Sequence, residues 1–425
     1  MILRVAKFLS PLLMACAAIA AAEEGNLEAE VGFEARGWIH EGGQKQERSN
    51  LSVRIEAEYY TEWNDGDDSF TFSPFLRLDQ RDAERTHGDI RELTWVHVGS
   101  DWELRTGVRR VFWGVTETQH MVDIINQTDA VENLDGEDKL GQFMINLSLV
   151  KDWGIVDVFV LPGFRERTFA GKDGRLRSPY VIDTNHAEYE SGAEENRVDF
   201  AVRWAHSIDD FELAVSHFSG TSRDPSFQLS ARSFTNVTGL GPVPDELIPV
   251  YETIDQTGLE AQYIYEDWLW KLEAISNSGY SDDRYSAAVF GFEYTAIGIF
   301  ETRSDLGYVV EYHFDDRGED SSADVLESDL ALALRWTAND EDSTEVLTGI
   351  TWDSDDEEKM YFLEASTRVA QEWKLEVEAR FWFGRDSLSQ DFATAVQVLS
   401  NPSAFSRQAY FQDEDYVQVE LTRYF

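Results

Sequence analysis

The sequence predicts an all-β chain, a transmembrane antiparallel β-barrel of eighteen strands. Three observations point there. Apolar and polar side chains alternate at period 2 through most of the chain, which is the pattern of strands with two different faces. No apolar run of about 18 residues follows the first 22, and mean hydropathy is −0.40, yet 13% of residues are aromatic, too many for a disordered acidic polymer. The chain also ends on an alternating strand, Asp415-Tyr-Val-Gln-Val-Glu-Leu-Thr-Arg-Tyr-Phe425, with Val417, Val419, Leu421 and Phe425 on one side and Gln418, Glu420, Thr422 and Tyr424 on the other. A barrel reconciles these features. Only alternate residues face lipid, so average hydropathy stays low. Every backbone N–H and C=O must be paired in lipid, so the sheet closes and its first and last strands meet.

The front of the chain reads as a secretory leader over residues 1–22. Arg4 and Lys7 precede an apolar run from Phe8 to Ala22, with small residues at Ala18, Ala20 and Ala22 before Glu23. The run is too short to span a bilayer. Leu13-Met-Ala-Cys16 loosely resembles a lipobox, although Met14 fits that pattern poorly. Cys16 is the only cysteine, so the mature chain can form neither a disulfide nor a thiolate site. Residues 23–425 are expected to form one domain, with no plug domain ahead of the first strand.

Turn clusters divide the alternation into strands near 26–39, 51–63, 69–79, 88–99, 102–112, 142–151, 154–161, 195–206, 211–219, 256–266, 268–277, 286–296, 304–315, 327–337, 344–353, 358–369, 373–384 and 414–425. Two of the weaker patterns read as loop would leave sixteen strands. At 88–99 and 344–353 the pattern does not decide which face is which. The long connections 113–141, 162–194, 220–255 and 385–413 all follow odd-numbered strands, as they must if both termini are periplasmic and long loops lie outside. Trp63, Trp102, Trp153, Trp204, Tyr265, Trp268, Trp336 and Trp373 fall at the opposite strand ends, where aromatic rings form an interfacial girdle.

The face opposite the lipid stripe looks into the lumen and carries both signs of charge with acids in excess; eighteen strands leave room for an aqueous bore. The connection 113–141 places Met121, Val122, Ile124 and Ile125 together, an apolar patch that folding into the barrel would bury. Arg105-Thr-Gly-Val-Arg-Arg110 running into Phe112-Trp-Gly114, the pair Asp123 and Asn126, and Gly291-Phe-Glu-Tyr294 followed by Asp305-Leu-Gly307 and Glu311-Tyr312 resemble porin-type barrels of Gram-negative outer membranes, in families of uncharacterised porin-like proteins. The aromatic-terminated last strand resembles the ending that outer-membrane assembly machinery reads. The resemblance implies that the third extracellular loop, 113–141, folds inward and sets a constriction. It places Arg105 and Arg109 on the wall facing that loop. Together with Arg54 and Arg77 from the early strands they are expected to form a basic ladder facing Asp123 and Asp129, with Asn126 counted among the constriction residues. The strand number and the missing general-porin loop motif depart from trimeric porins, so a homo-oligomer is only one of the assemblies it allows.

The functional expectation is passive diffusion of small hydrophilic solutes across the outer membrane, with weak cation preference because acids outnumber bases on the lumen face and the outer loops are acidic too; the whole chain has 81 acidic and 36 basic residues. That balance argues against nucleic acid. The alternatives are a closed or plugged barrel serving as an assembly platform, and a barrel hydrolase. Against the hydrolase, Ser216 and His217 are strand neighbours and point to opposite faces. No zinc spacing, phosphate-cradling glycine loop or nucleotide fingerprint appears, so neither metal nor cofactor is expected. Partners are outer-membrane lipid and lipopolysaccharide. The acidic turns Asp315–Asp320 and Trp352–Glu358 read as a solvated rim, or as divalent-cation bridges to lipopolysaccharide phosphates.

Overall fold

A computed structural model describes residues 25–177, 180–237, 241–280, 284–317, 326, 328–353, 358–384, 411 and 413–425. Residues 1–24, which include the expected leader, most of 385–413, the end of the turn 315–320 and the middle of the turn 352–358 lie outside the described residues. The wall consists of eighteen strands: β1 Asn26–Trp38, β2 Ser49–Trp63, β3 Asp68–Asp79, β4 His87–Val98, β5 Trp102–Arg109, β6 Gln142–Lys151, β7 Gly154–Pro162, β8 Val198–Ile208 and β9 Phe211–Thr221. The second half adds β10 Thr253–Tyr265, β11 Trp268–Ser278, β12 Arg284–Ala296, β13 Asp305–Asp315, β14 Asp329–Thr337, β15 Glu345–Asp353, β16 Lys359–Ala370, β17 Trp373–Phe383 and β18 Tyr416–Tyr424. Each pairs antiparallel with its sequence neighbour, and β18 closes on β1 from Glu30↔Tyr424 to Trp38↔Tyr416. The barrel is closed, and all its long connections follow odd-numbered strands.

Period 2 sorts the two faces. Phe33, Leu51, Phe143, Phe200, Phe290, Leu332, Leu334, Val417 and Val419 are exposed on the outside, while Glu34, Asn146, Asp199, Glu260, Glu311, Glu420 and Thr422 are buried inside. An apolar exterior with a charged interior is the reverse of a soluble protein and suits a lipid surround.

Two departures from regular alternation matter for the site. Pro74 has no N–H to give the ladder, and the β3–β4 register slips there, Ser73 pairing with Glu92 and Pro74 with Ile90. The slip leaves Arg91 unpaired in the ladder, and Arg91 and Thr94 are both buried. This accounts for the unreadable faces at 88–99. Strand β5 stops at Arg109, short of the expected 112, because Asn126 takes over its backbone groups. The Asn126 amide donates to the Arg109 carbonyl at 2.7 Å and accepts from the Val111 N–H at 2.8 Å.

Candidate solute passage

The loop between β5 and β6 folds into the lumen, and its sequence explains how it divides the bore. Val122 and Ile125 are fully buried, packed with Trp113 against inward-facing Met144, Phe159, Leu161, Phe218, Ile254 and Ile275 of β6, β7 and β9 to β11. The apolar patch thus meets an apolar stretch of inner wall and packs against it. From there the loop reaches β11 and β13, where Glu273 and Glu311 accept hydrogen bonds from its backbone. Its second half returns to the opposite wall. Asp129 is fully buried and binds Arg91 at 2.7 Å, His87 at 3.0 Å and the Thr168 hydroxyl at 2.8 Å. Glu132 binds Arg77 at 2.6 Å, and Asp135 lies 3.4 Å from Arg380 on β17.

What remains open is a cavity of about 530 Å³ between the loop and the wall formed by β1 to β4 and β14 to β18. Eleven acidic and six basic side chains border it. The bases are largely spent on structural partners: Arg77 binds Glu34 and Glu132, Arg335 binds Glu117 at 2.6 Å, Lys374 binds Glu376 at 2.8 Å, and Arg54 binds Glu30 and Glu420. Five acids remain in excess among the bordering side chains, and Arg85 and Arg380 behind the lining pair with Glu34, Asp135, Glu364 and Glu378. Asp138, with no cation within 4.0 Å among the described residues, is the clearest case of that excess; burial, then Glu132 and Asp135, push its carboxyl up to about 7. Asp129 goes the other way. Burial alone would raise it, but the hydrogen bond from His87 and the charges of His87 and Arg91 hold it well below the usual carboxylate range.

Of the residues named from sequence, Arg54 and Arg77 border the cavity. Arg105 instead pairs with Glu103 at 2.6 Å and the Ser148 hydroxyl at 2.7 Å, and Arg109 donates to Asn146 at 3.1 Å, both on the β5–β6 wall. Asp123 is buried against Lys139 at 3.1 Å, Asn126 stitches the loop ends, and Asp129 anchors the return. None of those five is among the residues bordering the cavity. Arg91, Arg110, Glu117, Glu132, Asp135 and Asp138 border it and were not singled out. Arg91 was hidden by the Pro74 slip. Arg110 follows the last β5 residue, where strand parity no longer applies.

Several other constellations are already committed. His87, Asp129 and Glu132 bring their ligand atoms within 4.8 Å of one another, but Arg91 and Arg77 already neutralise the two carboxylates. Ser216 is buried on the lumen side whereas His217 is exposed. His313 and Glu311, side by side on β13, are both engaged by Thr118.

An inward loop crossing a closed antiparallel barrel decides the fold type. The chain has a porin-like barrel fold. No family model matches it, and no curated protein does. Solved structures with a likeness include a mutant of Rh. blastica porin, with 11% identity over 94% of this chain and 100% of that chain at a TM-score of 0.43. OmpT, an outer-membrane protein of Vibrio cholerae solved in its trimer form, has 8% identity over 94% of this chain and 99% of that chain at a TM-score of 0.44.

Proposed function

We propose that this barrel is an outer-membrane channel for passive diffusion of small hydrophilic solutes, weakly preferring cations. Residues 1–22 are a leader removed on export, and lipid and lipopolysaccharide surround the folded chain. The observation supporting the reading is the cavity: a charged, water-accessible space beside the loop, with eleven acids against six bases. A low-dielectric wall focuses the field of that surplus into the bore and gathers cations there. No catalytic role is proposed.

One observation favours a closed assembly platform instead. The connection after β7 is tied to the segment just ahead of β18 and to the β1–β2 loop, where Arg175 binds Glu414 at 2.9 Å and the carbonyls of His40 and Glu47 at 3.2 Å, with a pocket of only about 40 Å³ between these segments. Planar-bilayer recording separates the two. A channel gives stepwise current and, under a KCl gradient, a reversal potential on the cation side. Correctly folded protein with no current above background would favour the platform, and anion selectivity would overturn the cation preference.

A further inference from the structure

Four consecutive backbone N–H groups, those of Val115, Thr116, Glu117 and Thr118, have no ladder or helix to join. All four end on two carboxylates of the barrel wall. Glu273 on β11 accepts from Val115 at 2.6 Å and Thr116 at 2.9 Å, and from the Thr116 hydroxyl at 2.6 Å, while its second oxygen lies 3.3 Å from the Val122 N–H. Glu311 on β13 accepts from Glu117 at 2.7 Å, Thr118 at 2.9 Å and the Thr118 hydroxyl at 2.6 Å. Both glutamates are fully buried. A buried N–H without an acceptor is costly, so the wall supplies what secondary structure would otherwise provide.

The chain approaches this wall too closely for a side chain. Gly114 has φ +127°, and a Cβ there would lie 2.8 Å from a Glu273 oxygen and 2.7 Å from His120 Nδ1. The chemistry also favours a carboxylate. Ionised Glu is acceptor-only, and Glu311 uses both oxygens, so a Gln there turns its NH₂ toward a backbone N–H; at Glu273 the NH₂ would face the Val122 N–H.

We propose that Glu273 and Glu311 are positioning residues for the passage: together they fix the tip 115–118 across the lumen and thereby fix the boundary of the open cavity, which Glu117 borders. The apolar wedge at 121–125 holds the loop to the near wall, and the two carboxylates hold its far end. The consequence for solute flow rests on the channel reading above; the latch itself does not.

The test uses the refolded chain from residue 23, free of cysteine, carrying Gln119→Cys and labelled with a bulky maleimide. Glu273→Gln with Glu311→Gln should raise the labelling rate about tenfold or more. Glu420→Gln removes a buried wall carboxylate that binds Arg54 rather than the loop, and should leave the rate unchanged. Heat-modifiable gel migration shows which variants have folded; if the double variant has not, each single variant is read against the parent. An unchanged rate in a folded variant overturns the latch, as does an equal rise in Glu420→Gln. Current recordings of the same proteins keep the two readings apart. A freed tip should break steady current into rapid transitions, whereas a parent without current sinks the channel reading and leaves the labelling result standing.

Discussion

Asp138 shows how a single carboxyl sets the behaviour of the cavity it faces. Its proton is held up to about 7 by burial and by Glu132 and Asp135, so it is neutral in mild acid and charged in mild alkali. The folded chain binds this proton more tightly than an unfolded chain would, at about 3.9. Its contribution therefore favours the fold below the unfolded value and is lost as pH rises through about 7. For permeation the direction is the same in charge: Asp138 adds a negative charge to the cavity across that window. Cation preference should therefore grow between pH 6 and pH 8, measured as reversal potential at fixed KCl gradient. Asp138→Asn should shrink that step, with the other bordering carboxylates, Glu364 among them, supplying the remainder. A step that persists unchanged in the variant would assign the titration to another group. His120, raised to about 10 by its hydrogen bond to Glu137 and by the nearby Glu273 carboxylate, stays cationic throughout and does not contribute to the step.

The loop between β5 and β6 combines an element whose burial was legible with partners that were not. Four apolar residues in five positions have no reason to face water, and that local signal suffices to send 113–141 inward. Ile125 sits at the centre of the resulting wedge, fully buried with Phe159, Leu161 and Phe218. Ile125→Ala removes that packing and leaves a cavity, at a cost of about 2–5 kcal/mol. Amide hydrogen exchange should then quicken across 111–126 while the strands stay protected; equal loss of protection in β6 and β7 would mean that the wedge supports the wall as well. Strand number, closure and loop sides were legible for the same reason: period 2 and turn chemistry are local properties. The anchors were not. Thr116 meets Glu273 across 157 residues and Thr118 meets Glu311 across 193, and no spacing rule links positions that far apart. Asp123, Asn126 and Asp129 were visible as polar residues in an apolar loop, but whether a polar side chain ties the loop to itself or faces the bore depends on the fold of the loop.

At the scale of the whole molecule the inward loop packs its apolar patch against one side of the inner wall and leaves on the other a charged cavity in which most basic groups are already paired. That division decides which arginines can act on a passing ion. Arg110 borders the cavity, is partly exposed, and among the described residues forms its one ion pair within 4.0 Å with Glu56 at 3.8 Å, a separation at which half-solvated charges attract weakly. Arg105 and Arg109 are held on the β5–β6 wall by Glu103, Ser148 and Asn146, away from that space. Removing Arg110 therefore takes a weakly paired positive charge from the cavity lining, whereas Arg105 and Arg109 lie outside that lining and are already tied to wall partners. Arg110→Ala should raise the cation-to-anion permeability ratio by roughly twofold, as expected for one charge at a narrow site. Arg105→Ala combined with Arg109→Ala should leave it near the parent value. Reversal potentials recorded side by side check both. A larger shift in the double variant than in Arg110→Ala would place the conducting path along β5 and β6 and move the constriction off the cavity described here.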